Sequence, residues 1–103
     1  MKLNIASMEE IGELARFTRK AQGLRQDDLG AMAGCSHKFV VDVEKGKPTI
    51  QAGLLLQLLE ELGIEITLDL PGDVSERLRE HLLSQAPDML KPRHAKWLSQ
   101  IAR

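Results

Sequence analysis

The sequence predicts a mainly α-helical domain that continues into one β-strand over residues 64–70 and a helical extension behind it. Three observations carry that prediction. Within residues 26–46, apolar side chains recur at helical spacing on both sides of a break at Ala33-Gly34-Cys35-Ser36. Ahead of that stretch, Ser7-Met8-Glu9-Glu10 has the Ser-x-x-Glu form that opens a helix. Behind it the apolar period shortens to two, at Ile64, Ile66, Leu68 and Leu70.

Composition bounds the answer before any element is placed. A chain of 103 residues that is 43% apolar and 28% charged is one small soluble domain with room for a core and a short appendage. No apolar run approaches the roughly 18 residues that span a bilayer, and the first ten residues lack the apolar segment of a signal peptide. A single cysteine, Cys35, excludes an internal disulfide, so a reduced cytoplasmic location is expected. The formal net charge is −1, but the charge is sorted: residues 51–70 carry Glu60, Glu61, Glu65 and Asp69 without a base, and residues 91–103 carry Lys91, Arg93, Lys96 and Arg103 without an acid. Such a balance attracts nucleic acid weakly, and useful affinity then calls for two copies on one site.

Taken in order, residues 1–6 alternate apolar positions and read as a short strand or a frayed tail. The first helix covers about 8–22, with Ile11, Leu14, Ala15 and Thr18 on one stripe. Gly23-Leu24 closes it as a glycine cap with its apolar follower. A second helix starts near Gln26 and carries Leu29 and Ala33. Gly34 supplies the left-handed turn residue, and Ser36 caps a third helix over about 36–44, with Phe39, Val40 and Val43 inward. Lys45-Gly46-Lys47-Pro48 stops it. A fourth helix runs from Thr49 or Gln51 to Leu62. Its leucines cover more than one face, so it needs two packing partners, the core and a second protomer.

The strand at 64–70 would leave its backbone groups unpaired if alone, and pairing with its twin or with residues 2–6 would satisfy them. Pairing with the twin makes a homodimer, the expected arrangement, with Leu58, Leu62, Ile64, Ile66 and Leu68 at the interface. Pro71-Gly72 ends the strand, Asp73-x-x-Glu76 opens a further helix that stops before Pro87, and Pro92 begins a short last helix. The organisation is therefore a helical domain over 7–63, an intermolecular strand over 64–70 and a helical extension over 71–103.

Two helices joined by a tight turn leave the outer face of the second free, the geometry that enters a DNA major groove. On that face stand His37, Lys38, Val41 and Asp42. Lys38 can donate to guanine N7 or O6, as can His37 in a suitable tautomer; Val41 suits a thymine methyl; Asp42 can accept from cytosine N4 or orient a basic neighbour; contact of His37 and Lys38 with phosphate or solvent alone stays open beside this. Gln26 and Ser36, at the starts of the two helices, suit backbone phosphates, with Lys45 and Lys47 adding cations.

These residues carry a family resemblance. Gly23-Leu24-x-Gln26, Leu29, Gly30, Ala33, Gly34, Cys35, Val40, Val43 and Glu44-Lys45-Gly46 resemble the Cro/phage-repressor (XRE, lambda-repressor-like) helix-turn-helix domain over residues 8–63. The resemblance implies a structural ion pair between Arg19 and Glu44. Two positions depart from the pattern: Gly30, where the family usually has Ala, at a cost of roughly 0.5–1 kcal/mol in helix stability, and Arg25, where Ser or Thr often caps the second helix. More narrowly, Phe39-Val40-x-Asp42-Val43-Glu44-Lys45-Gly46-Lys47-Pro48-Thr49, followed by the leucine-rich helix, Leu62-Gly63 and the alternating segment, resembles HipB-like antitoxins. That implies an autoregulating repressor of a toxin–antitoxin operon, bound as a dimer to an inverted-repeat operator in double-stranded DNA, with a HipA-type Ser/Thr kinase as partner. Residues 71–103 have no counterpart in the resemblance. A stand-alone repressor of phage or metabolic type, or a protein-interaction module of the same fold, stays open beside it.

No catalytic arrangement is present. His37, His81 and His94 lack metal-ligand spacing, no nucleophile elbow or phosphate-cradling loop occurs, and Cys35 occupies an apolar position of the motif, so no enzyme activity, metal or cofactor is expected. Trp97, the one tryptophan, either anchors a partner protein or folds back with Leu98 and Ile101, and the basic residues around it offer DNA contact as a third possibility.

Overall fold

The structure, a computed structural model, describes residues 1–101. Among them the chain forms α1 (Met8–Ala21), α2 (Gln26–Ala33), α3 (His37–Glu44), α4 (Ala52–Glu61), α5 (Gly72–Leu83), a single 3-10 turn (Pro87–Met89) and α6 (Pro92–Gln100). They divide into two compact units, Met1–Ile66 and a second beginning at Thr67. Arg103, one of the basic residues of the C-terminal segment, lies outside the described residues.

The first unit holds α1 to α4 around one core. α1 starts where Ser7 Oγ accepts the Glu10 N–H at 3.2 Å, while Glu10 Oε1 reaches back to the Ala6 N–H at 2.7 Å. It ends in paired backbone bonds from Gly23 N to Lys20 O and from Leu24 N to Arg19 O. Ala15, Leu29, Ala33, Val40, Val43, Leu58, Leu59 and Leu62 interlock in the centre. Leu29, Leu58, Val40 and Val43 are fully buried, each contributing about 1.5–3 kcal/mol relative to exposure.

Residues 64–70 are not a strand, and among the described residues there is no strand at all. The expected dimerising strand is therefore absent. Ile64 belongs to the end of α4: its N–H bonds Leu59 O at 2.9 Å, and its side chain packs against the core, as Leu24 follows Gly23 at the end of α1. Residues 65–70 make no backbone hydrogen bond with another segment, and residues 2–6 do not pair with them. Alternation satisfies the side-chain requirement of a strand, but a strand exists only where a second backbone completes its ladder. Leu58 and Leu62, expected at the dimer interface, are core residues of a single chain, 0% and 3% exposed, whereas Ile66 and Leu68 stand in solvent.

In the second unit α5 and α6 pack on one another. α5 begins at Gly72, one residue before Asp73, behind Pro71, with no side-chain cap. Leu82 is buried; Leu78 and Leu98 are half-buried. Pro92 takes the first position of α6, and the Lys91 N–H donates to His94 Nδ1 at 2.9 Å.

Candidate nucleic-acid interface

α3 is presented by the two helices that grip its inner side. Against α1 the approach is so close that a methyl on Gly12 would overlap the Val43 carbonyl oxygen. A glycine inside an amphipathic helix costs up to about 1 kcal/mol relative to alanine. That cost is the signal the sequence carries for a close approach at this position. Against α2 the turn is also tight. Gly34 adopts φ 74°, the Cys35 N–H bonds Gly30 O at 2.9 Å, and a Cβ on Gly30 would sit 2.9 Å from Cys35 O. Gly30 is therefore fitted to this turn, although glycine weakens the helix it sits in. Cys35 is half-buried in the turn, and burial pushes its thiol pKa up, in keeping with a packing role.

Ser36 starts α3 by accepting the Phe39 N–H on Oγ at 3.0 Å. Inside, Val40 and Val43 are fully buried. Outside, His37 and Lys38 are exposed, and Val41 and Asp42 are half-buried. The four expected base-reading side chains thus share the part of α3 that the core leaves open. Lys38 Nζ lies 3.3 Å from Asp42 Oδ2, one helical turn away, and Lys47 Nζ approaches the same oxygen at 3.8 Å. Asp42 holds two of the three lysines at this end of the unit. Lys45 is exposed beyond it.

The far end of α3 is tied down by charge. Arg19 Nε donates to Glu44 Oε2 at 2.7 Å and Nη2 to Oε1 at 3.1 Å, with both side chains more than nine-tenths buried. Arg19 Nη1 also donates to Leu24 O at 2.6 Å. The hydrogen bond to Glu44 raises the Arg19 pKa further, against the opposing effect of burial.

Gln26, expected on phosphate, has its side chain bonded within the protein. Gln26 Nε2 donates to Glu44 Oε1 at 3.1 Å, and its Oε1 lies 3.1 Å from His37 Nε2. Arg25 has no acceptor with which to cap α2; Asp27 Oδ1 accepts the Asp28 N–H at 3.1 Å instead, and Asp28 Oδ2 accepts the Arg25 N–H at 3.1 Å. The Arg25 guanidinium, at 3.3 Å, followed by that N–H, lowers the Asp28 pKa. In the second unit Trp97 is 36% exposed, its ring tilted against His94 with centroids 5.5 Å apart.

An interlocked α2–turn–α3 pair with an open outer face defines a helix-turn-helix protein, the architecture that places its second helix in a DNA major groove. Comparison with known families agrees: the helix-turn-helix family model matches residues 16–68, and the chain belongs to that family. It is also similar to an uncharacterized HTH-type transcriptional regulator, y4mF, of Sinorhizobium fredii (strain NBRC 101917 / NGR234). The two are 47% identical over 73 residues, which cover 71% of this chain and 96% of the relative. No helix of the described residues is long and apolar enough to cross a membrane.

Proposed function

We propose that this protein is a transcription repressor that reads an operator in double-stranded DNA through the outer side of α3. The observation that carries the reading is the pairing of an exposed polar end, His37 and Lys38, with an inner side locked by Val40, Val43 and the buried Arg19–Glu44 fork. A reading helix must hold its side chains in register with base edges, and a rigidly anchored helix does so at small entropic cost. Family membership and the relative's description as a transcriptional regulator support the same reading. His37, Lys38, Val41 and Asp42 meet bases; Ser36, Lys45 and Lys47 meet phosphate, with the backbone N–H of Gln26 at the start of α2. A net charge of −1 keeps single-copy affinity low, so two copies act together on an inverted repeat. Exposed apolar side chains such as Leu56 and Ile66 are available for contact between the copies.

Within that class, the motif of residues 39–49 and the leucine-rich α4 favour an antitoxin that restrains a HipA-type Ser/Thr kinase and represses its own operon. The half-exposed Trp97, beside the cations Lys91, Arg93 and Lys96, is the element offered to that kinase. Selecting bound fragments from sheared host DNA and titrating them in gel shifts tests the repressor. Affinity purification from the host followed by mass spectrometry tests the kinase. A protein that represses but purifies alone, with no kinase gene beside its own, is a stand-alone repressor.

A further inference from the structure

The hydrogen bonds that reach His37 have a polarity that can be followed atom by atom. The Glu44 carboxylate offers acceptors only: Oε2 takes Arg19 Nε–H at 2.7 Å, and Oε1 takes Arg19 Nη2 and Gln26 Nε2, both at 3.1 Å. The Gln26 amide is thereby oriented, because the opposite orientation would set its oxygen against a carboxylate oxygen. Its oxygen then faces His37 Nε2 at 3.1 Å. An amide oxygen cannot donate, so His37 Nε2 carries the hydrogen. In a neutral imidazole the other nitrogen, Nδ1, keeps its lone pair. No ion pair involves His37 among the described residues; on α3 Lys38 is turned to Asp42, and on α2 Arg25, Asp27 and Asp28 engage one another.

We propose that the Arg19–Glu44–Gln26 chain makes His37 a specificity-determining acceptor, which meets the major groove through Nδ1 and selects an amino-bearing base edge, cytosine N4 or adenine N6, over guanine. The proposal rests on the DNA-reading function above and adds the polarity of one contact. His37 and Lys38, adjacent on α3, then ask for opposite chemistry from neighbouring bases. Gln26 is the positioning residue.

The test uses the full chain and a selected operator. His37→Ala locates the base pair by the position whose preference it flattens. With all four base pairs placed there, the wild type at about pH 8 is expected to favour cytosine or adenine over guanine by about tenfold. Gln26→Met removes the orienting oxygen but leaves the Arg19–Glu44 fork, and is expected to cut the margin to about threefold or less. Imidazole nitrogen-15 spectra of the free protein check the same point without DNA: at about pH 8 Nε2 is protonated and Nδ1 is not, and Gln26→Met yields a mixture of tautomers. Guanine preferred at that pH, a margin indifferent to Gln26→Met, no position flattened by His37→Ala, or a hydrogen on Nδ1 overturns the proposal and leaves DNA reading intact. A wild-type protein that selects no DNA removes the reading itself, and the proposal with it.

Discussion

Arg19 and Glu44, 25 positions apart, meet in a two-bond fork that ties the end of α1 to the last residue of α3. Both are buried, so losing one partner strands the other as an uncompensated charge. Glu44→Leu is expected to destabilise the fold by about 3 kcal/mol, measured by urea denaturation, whereas the double variant Arg19→Met/Glu44→Leu is expected to recover much of that loss. Equal losses in the single and double variants would mean that the fork is not the source of the effect.

Gly12 sets how near α1 comes to α3. Gly12→Ala adds helix propensity worth about 1 kcal/mol but drives a methyl into the Val43 carbonyl. The overlap is with backbone, which cannot swing aside as a side chain would. The expected net effect is a loss of about 1–3 kcal/mol, read as a lowered midpoint in thermal melting, and a raised midpoint would refute the close approach.

On the outer side of α3, Lys38→Ala is expected to cost roughly 1–3 kcal/mol on the specific operator. Asp42→Asn should act in the other direction on random DNA. Freed from the carboxylate, Lys38 and Lys47 each bind phosphate more readily, so nonspecific affinity rises and its salt dependence steepens by about one released counterion. Filter binding across a salt series measures both slopes.

Asp28 provides a pH signature. Its pKa is lowered in the fold by the Arg25 guanidinium and N–H, so the native state binds its proton less readily than the unfolded chain. The stabilisation is therefore complete above the ordinary carboxylate range and disappears as pH falls through the lowered value. Asp28→Asn is expected to lower the melting temperature slightly at neutral pH and to differ little from wild type in strong acid. A difference that persists unchanged into acid would assign the effect to something other than the carboxylate.

Much of the first unit could be read directly from residue order. Ser7, Gly23, Gly34 and Ser36 act within four positions of themselves, so the ends of α1 and α2 and the start of α3 follow from local chemistry. The outer face of α3 was legible for a related reason: Val40 and Val43 must turn inward, which leaves His37, Lys38 and Asp42 on the other side. What escaped was non-local. Gly12 is an ordinary helix glycine until Val43 arrives against it, and nothing local ties the Gln26 amide to Glu44 and His37 until the helices are packed.

Residues 64–70 and 26–46 show the division most clearly. Sequence by itself determined that two short helices and a glycine turn would present His37 and Lys38, because capping, periodicity and turn conformation are settled within a few residues. Only the tertiary structure decided that the alternating segment behind α4 is no strand, since alternation cannot supply the second backbone that a ladder requires. It also decided which way the Gln26 amide points. A hydrogen-bonded chain acquires its direction from the carboxylate at its far end, and Glu44 stands 18 residues along the chain from Gln26.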